Sequence, residues 1–383
     1  MKRWLAFLLV LFFFGCERPA AVYDESVTMH AMMLSDLHFT VSPEVVSSII
    51  PAMPYSPEFT KAVFAEITDA HPDVLIITGD NTNSGAKEDM KGLLALLETV
   101  KEARIPVLMI PGNHDFNLCE PDKYDAVYTP VLAIGERDPA SLSYRTDLCG
   151  VRFLAMDDSS ADPGMNGFYS KETIAWTKRQ LNEAKSLGMR VIFLTHHPLL
   201  YGSEPDKGTG RAEMAALLKQ YDARLIISGH MHSEAVLQEE NLHEIILGMP
   251  LSGMHEIGIL DLENGWLRYH TKPAALSAYG SENLAAKISE ADRLYETRLC
   301  EAVETILEKE RVTGTEREEI LRLFRKFMQD FSAGRLRETA EEIRNDPYCG
   351  RMTEVLRDYN YGPWIESALA NPPESGRSLE FAW

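Results

Sequence analysis

The sequence predicts an α/β fold followed by an all-helical region, on three observations. Short apolar runs alternate with amphipathic stretches of helical spacing through the first half of the chain. Several of those runs are continuous, as in strands covered on both faces. After about Leu276 the texture changes to long Glu- and Arg-rich stretches in which no proline interrupts the helical periodicity.

Taken in order, Thr28 to Leu34 reads as the first strand and Pro57 to Ala70 as a helix with Phe59, Val63, Phe64 and Ile67 on one face. The run Val74 to Ile77 is a second strand, and about Ala86 to Ala103 a helix burying Leu93, Leu94, Leu96 and Leu97. Val107 to Ile110 is a third strand, followed by a long loop. Val151 to Met156, Arg190 to Leu194 and Arg224 to Ile227 are further strands, with helices over Lys171 to Leu187 and about Arg211 to Tyr221. This rhythm implies a mainly parallel or mixed sheet with helices on its faces. Ala235 to Gln238, His243 to Leu247, Glu256 to Leu260 and Trp266 to His270 read as short strands of an antiparallel second sheet, with a hairpin at Glu263-Asn264-Gly265. Four helices follow, Asn283 to Lys309, Thr315 to Ala333, Leu336 to Arg344 and Met352 to Tyr359, stopped by Gly314 and Asp346-Pro347. The expected organisation is therefore a leader (1–16), a tether (17–27), an α/β domain (28–275) and a helical domain (276–383). No polar cluster in the helical domain resembles a site, so it reads as a buttress or lid.

The leader has a positive start at Lys2 and Arg3, an apolar stretch from Trp4 to Phe14, and Gly15-Cys16 at its end. That stretch is too short for a standard membrane span. A small residue before a cysteine resembles a lipobox, which implies export and lipid attachment at Cys16; a plain secretory signal is the simpler alternative. The other cysteines, Cys119, Cys149, Cys300 and Cys349, permit two disulfides, Cys119 with Cys149 and Cys300 with Cys349, or four free thiols. A net charge of −20 over 383 residues argues against long nucleic acids, which need a basic surface. Small anionic substrates stay open, because bound cations reverse a local potential.

Chemistry concentrates where the apolar runs end. Ser35-Asp36-Leu37-His38, Gly79-Asp80-Asn81, Gly112-Asn113-His114-Asp115, His196-His197-Pro198 and Gly229-His230-Met231-His232 each close such a run, and strand ends are where α/β sheets build sites. Any one cluster has an ordinary reading as a turn or helix cap. Together they supply carboxylate, amide and imidazole donors, a mixed set that suits Mn, Fe or Zn. Asp80 is the best bridging carboxylate, since Gly79 lets the backbone turn sharply and exposes it.

In this order the clusters resemble the motifs of the calcineurin-like metallophosphoesterases over about residues 28 to 272. The resemblance implies a four-layer α-β-β-α sandwich with two divalent metal ions. It places Asp36, His38, Asp80 and His232 on one ion and Asp80, Asn113, His196 and His230 on the other. His197 would line or support the site. A water activated by two cations attacks phosphorus. His114, with Asn113 beside it, would then contact substrate and stabilise or protonate the leaving oxygen, and Asp115 would hold its tautomer or else cap a turn. An α/β catalytic domain with a helical C-terminal domain also resembles bacterial cyclic nucleotide phosphodiesterases. The implied activity is therefore hydrolysis of a small phosphodiester, most simply a cyclic nucleotide, at the extracytoplasmic membrane face. Monoesters and lipid or cell-wall diesters fit the same centre. Tyr201, in the loop Leu200 to Pro205, is available to stack on a base or to pack. A metal-binding surface lipoprotein without turnover is the competing class, and its signature, a lost ligand or a replaced His114, is absent.

Overall fold

The computed structural model describes residues 26–41, 50–164, 166–201, 208–332, 335–359, 361–370, 372 and 376–383. The leader, Cys16 and nearly all of the expected tether lie outside the described residues. Among the described residues no helix is long and apolar enough to cross a membrane.

Among the described residues, thirteen strands form two sheets. Strands β1 (Met29–Leu34), β2 (Val74–Thr78) and β3 (Val107–Ile110) run parallel in the first sheet. The second sheet contains β4 (Glu136–Arg137), β5 (Tyr144–Leu148), β6 (Val151–Ala155), β7 (Arg190–Leu194), β8 (Leu225–Ser228), β9 (Ala235–Glu239) and β10 (Leu242–Ile246), with β6, β7, β8 and β10 parallel. Strands β11 (Glu256–Glu263), β12 (Trp266–Pro273) and β13 (Ser378–Ala382) complete the first sheet on the free side of β1.

Period-two alternation explains the layers. Ala31 and Met33 of β1 face the other sheet, in one core with Ile76, Leu108, Phe153, Ile192 and Ile227. Met32 and Leu34 face outward onto α1 (Ser56–Ala70) and α2 (Lys87–Glu102), through Phe59, Val63, Leu93 and Leu97. In the second sheet Leu154, Phe193 and Ile226 face outward onto α4 (Lys171–Leu187) and α5 (Arg211–Gln220), through Trp176, Leu181 and Leu218. The short α3 (Pro121–Tyr128) covers the β3 side. The result is a four-layer α-β-β-α sandwich, and the continuous apolar runs follow from burial on both strand faces.

Three expectations need correction. The parallel strands do not share one sheet, and the short antiparallel strands do not form a second: β9 joins β10 in one sheet while β11 and β12 join β1 in the other. Each parallel half uses its own antiparallel extension to cover an edge. The C-terminal region is helical, with α6 (Leu276–Tyr279), α7 (Leu284–Lys309), α8 (Gly314–Ser332), α9 (Leu336–Asn345), α10 (Cys349–Val355) and α11 (Tyr361–Ala370). It nevertheless ends in β13, antiparallel to β12 from Trp266↔Ala382 to His270↔Ser378. Finally, all four described cysteines are free. Cys119 is buried beside Gly85 near the site edge, while Cys149 is exposed in the turn that enters β6 at the opposite edge. Cys300 lies within α7 and Cys349 opens α10.

The helical region has its own core of Val303, Leu307, Phe324, Phe327, Leu336, Met352 and Ile365. Its first long helix is shared, because Leu284, Ile288 and Ala291 pack in the α1–α2 layer. Tyr279 also donates to Asp69 at 2.6 Å, and the Ala275 amide to Glu66 at 2.8 Å.

Candidate metal centre

The C-terminal ends of β1, β2, β3, β6, β7 and β8 meet at one edge of the sandwich, and the loops leaving them interlock. Asp36 N donates to Gly79 O at 3.0 Å and His38 N to Asp80 O at 2.9 Å, so the first two loops continue the β1–β2 ladder past the strands. Gly229 N does the same to His196 O at 3.0 Å in the other sheet. The turns are tight. Asp36, His38, Asp80, His230 and His232 all have left-handed backbone, with φ of 51°, 42°, 49°, 68° and 56°, a conformation that costs a non-glycine residue on the order of 1 kcal/mol or more. Gly112 and Gly229 make the remaining room. A Cβ on Gly112 would lie 2.3 Å from Asp80 Oδ1, and one on Gly229 2.6 Å from Asp36 Oδ2.

Two donor groups result. Asp36, His38, Asp80 and His232 each offer one ligand atom within 4.8 Å of the others, as do His196, His197 and His230. In the first group His38 Nε2 faces His232 Nε2 at 3.0 Å, with Asp80 Oδ2 at 3.6 Å from the former and Asp36 Oδ1 at 3.4 Å from the latter. Asp80 reaches into the second group as well, since its Oδ1 is 3.4 Å from His196 Nε2. Asn113 Oδ1 lies 3.2 Å from that same nitrogen. His196 Nδ1 sits 2.9 Å from the Thr78 carbonyl, which can only accept, so that nitrogen carries the proton and Nε2 is the ligating atom. Buried carboxylates and imidazoles converging in this way fit a pair of divalent ions with Asp80 between them.

Charge is expensive here, because Asp36, Asp80, His38 and His196 are all within 1% of complete burial. Burial alone would raise the Asp36 carboxyl, but hydrogen bonding and charge from His232 hold it at about 2. Burial likewise works against Asp80, yet the His196 charge brings it well below the usual carboxylate range. His196 is lifted by Asp80, against burial, to about 10. Burial pushes His38 down to about 3, and burial with the His197 and His196 charges does the same to His230. Without metal, the site is a set of mutually compensating ion pairs.

His114 stands beside this set. Its ring meets His38 edge-on with centroids 4.6 Å apart, its amide donates to Asp80 Oδ1 at 2.8 Å, and its Nδ1 is 3.0 Å from the Asn83 carbonyl. Asp115 does not hold the His114 tautomer; Asn83 does. The Asp115 carboxylate instead accepts from Asn81 N and Nδ2, Thr82 N and Oγ1, and Gly112 N, at 2.8–3.1 Å. Of its two expected roles, the structure assigns the turn-organising one: Asp115 ties the β2 loop to the β3 loop. His197 has protein oxygens at both ring nitrogens, Gly164 O at 3.1 Å and Asp158 Oδ2 at 3.2 Å. The His230 ring makes no hydrogen bond among the described residues. His197 therefore supports the second group while His230 faces it.

Sequence reasoning missed Asp158 and Glu244. Asp158 accepts from His197 N at 2.8 Å, Thr195 Oγ1 at 2.9 Å and Ser159 Oγ at 2.9 Å, and the His197 charge holds its carboxyl far down against burial. Its signal was available, because Asp157-Asp158 also closes an apolar run. Glu244 is fully buried in β10 and accepts from Leu199 N and Leu200 N at 2.9 and 2.6 Å, fixing the loop after His196-His197-Pro198. No pattern marks it. Tyr201 packs, donating or accepting with Ser367 of α11 at 2.8 Å.

Next to the first donor group is a cavity of about 520 Å³ with His232 and Met231 in its lining. The helical region contributes Tyr295, Phe331 and Trp364 to the same lining.

The chain matches the Calcineurin-like phosphoesterase family over residues 29–234, and it belongs to that family. It is 30% identical over 171 residues to "Glycerophosphodiester phosphodiesterase GpdQ" of Enterobacter lignolyticus, a stretch that is 44% of this chain and 58% of that protein. It is 24% identical over 253 residues to a Synechococcus protein named "Probable cyclic nucleotide phosphodiesterase", covering 65% of this chain and 90% of that one. The chain thus spans little more than half the length of the first of these relatives. Among solved structures, a dimetal phosphatase from Danio rerio aligns with a TM-score of 0.50 at 11% identity, over 64% of this chain and 96% of that one, which shows the shared fold. The chain is thus a member of this family whose strand-end residues could hold divalent metal ions.

Proposed function

We propose that this protein hydrolyses small phosphodiesters, with Asp36, His38, Asp80 and His232 holding one divalent ion and Asp80, Asn113, His196 and His230 the other. The observation that carries the reading is the convergence of these side chains from five strand ends, with Asp80 in contact with both groups. Ions held there would supply positive charge for the phosphoryl oxygens and lower the pKa of an attacking water. The remaining work falls to the protein. His114 has its Nδ1 proton on the Asn83 carbonyl, which leaves Nε2 for the ester. Protonated at both nitrogens, the ring delivers its Nε2 proton to the leaving alkoxide. The Thr78 carbonyl fixes the His196 ring and Asp158 the His197 backbone.

The diester preference is supported by the printed names of the relatives, which point to cyclic nucleotides and to glycerophosphodiesters. Metal-loaded protein assayed on bis-p-nitrophenyl phosphate, p-nitrophenyl phosphate and cyclic AMP tests it. Turnover of the diester is expected. Turnover of the monoester alone would overturn the diesterase reading, and no turnover of any ester by protein holding two metal equivalents would overturn the enzyme reading. Export and membrane attachment through a lipid on Cys16 are part of the same proposal. Labelling with a radioactive fatty acid should mark the wild-type chain and not Cys16→Ser.

A further inference from the structure

We propose that the cavity beside His232 receives a cationic amino-alcohol group of the phosphodiester, and that the helical region supplies the surface that recognises it. This rests on the phosphodiesterase reading above. The cavity is large enough for a small alcohol and its ester linkage. It also touches the catalytic edge directly, because His232 belongs to the first donor group and lines it.

The share of the lining that the helical region contributes is aromatic. Tyr295 comes from α7, Phe331 from α8 and Trp364 from α11, and the last two rings pack edge to face with centroids 5.3 Å apart. Phe327 backs both, 5.8 Å from Phe331 and 5.0 Å from Trp364, so these rings are held from behind by the helical core. Ring faces with a rigid backing attract alkylammonium groups through the ring quadrupole, and Trp does so best.

The charge of the lining selects the same class of ligand. Glu234, Asp292 and Glu296 border the cavity. Asp292 lies 2.8 Å from His255 Nε2, whereas Glu296 forms no ion pair among the described residues. The basic residue in the described lining, Arg377, is engaged by Glu256 at 2.9 Å. The balance away from His232 is therefore negative, which repels a second phosphate or a carboxylate and favours a positive group.

Two substrates of nearly equal shape separate these contributions: the 4-nitrophenyl phosphodiester of choline, and that of 3,3-dimethylbutanol, in which carbon replaces the ammonium nitrogen. In both, a water oxygen bonds to phosphorus, the phosphorus–oxygen bond to the nitrophenyl group breaks, nitrophenolate leaves with the bonding pair, and the water's proton passes to solvent. With the full chain loaded with Mn, kcat/KM for the choline ester should exceed that for the carbon analogue by about tenfold. A ratio of one or less would overturn the proposal and leave the phosphodiesterase reading intact, while failure to cleave either ester would overturn both. Trp364→Leu and Glu296→Gln should each draw the ratio toward one, mainly by raising KM for the choline ester. Because Trp364 packs against the helical core and its replacement affects folding, half-buried Glu296 provides the independent variant. A ratio unmoved by Glu296→Gln and by any folded Trp364→Leu would also overturn the proposal.

Discussion

The strand-end loops and the helical region solve opposite problems with the same chain. At the sheet edge, five donor residues sit in left-handed backbone, and three of them, Asp36, His38 and Asp80, are almost completely buried. Local propensity and solvation both oppose this arrangement, and it persists because two packed sheets over-determine it. In the helical region, Phe324, Phe327, Leu336 and Ile365 fill a core while ion pairs such as Arg351–Glu316 and Arg325–Glu304 stay on the surface. There propensity, burial and charge agree. The contrast teaches that stability and chemistry are held by different parts of the protein, and substitutions should separate them.

The largest effect is expected at Asp80, which touches both donor groups. Asp80→Asn keeps the shape and removes the shared charge; turnover should fall by about a thousandfold or more, with fewer than two metal equivalents retained. Full metal content and near-normal turnover would break the comparison at its centre. His114→Ala should lower kcat by about 10²–10³-fold with metal content unchanged. Metal lost together with activity would place His114 among the ligands. Asp158→Asn acts through His197 and should cost about 10–100-fold in activity or metal affinity. Phe324→Ala, in the other region, should destabilise the protein by about 3–5 kcal/mol in a denaturant titration while leaving bound metal per folded molecule unchanged.

The smallest effect is a pH profile of the metal-free protein. His38 and His230 have folded pKa values of about 3 against an ordinary 6.5, so they bind fewer protons folded than unfolded and stability falls as pH drops from 6.5 toward 3. His196, raised to about 10, works in the other direction, with its contribution complete below 6.5 and lost as pH rises through 10. A melting temperature highest near pH 6.5, followed in chelator, checks this. Metal should flatten the profile.

Much of the catalytic half was legible because its signals are local. Continuous apolar runs marked β1 to β3 and β6 to β8 to within a residue or two, and the polar clusters at their ends named every ligand candidate. The partition between sheets was not legible, since a run buried on both faces reads the same in either sheet. Glu244 and the Asp115 network were hidden for a related reason, because most of their donors are backbone amides, which leave no residue-type pattern. Asp158 was a missed opportunity, carrying the same strand-end signature as the five clusters. The strand β13 was concealed behind helices, in a segment whose alternation is too short to stand out.

That last strand changes what the helical region can do mechanically. Its first helix is rooted among α1 and α2 through Leu284 and Ile288, and its exit is sewn into the sheet by β13, where Arg190 also donates to the Trp383 carbonyl at 2.6 Å. A body suspended at two points has no single hinge on which to swing. The aromatic side chains of Phe331 and Trp364 are therefore carried by a body tied to the sandwich at both its start and its end.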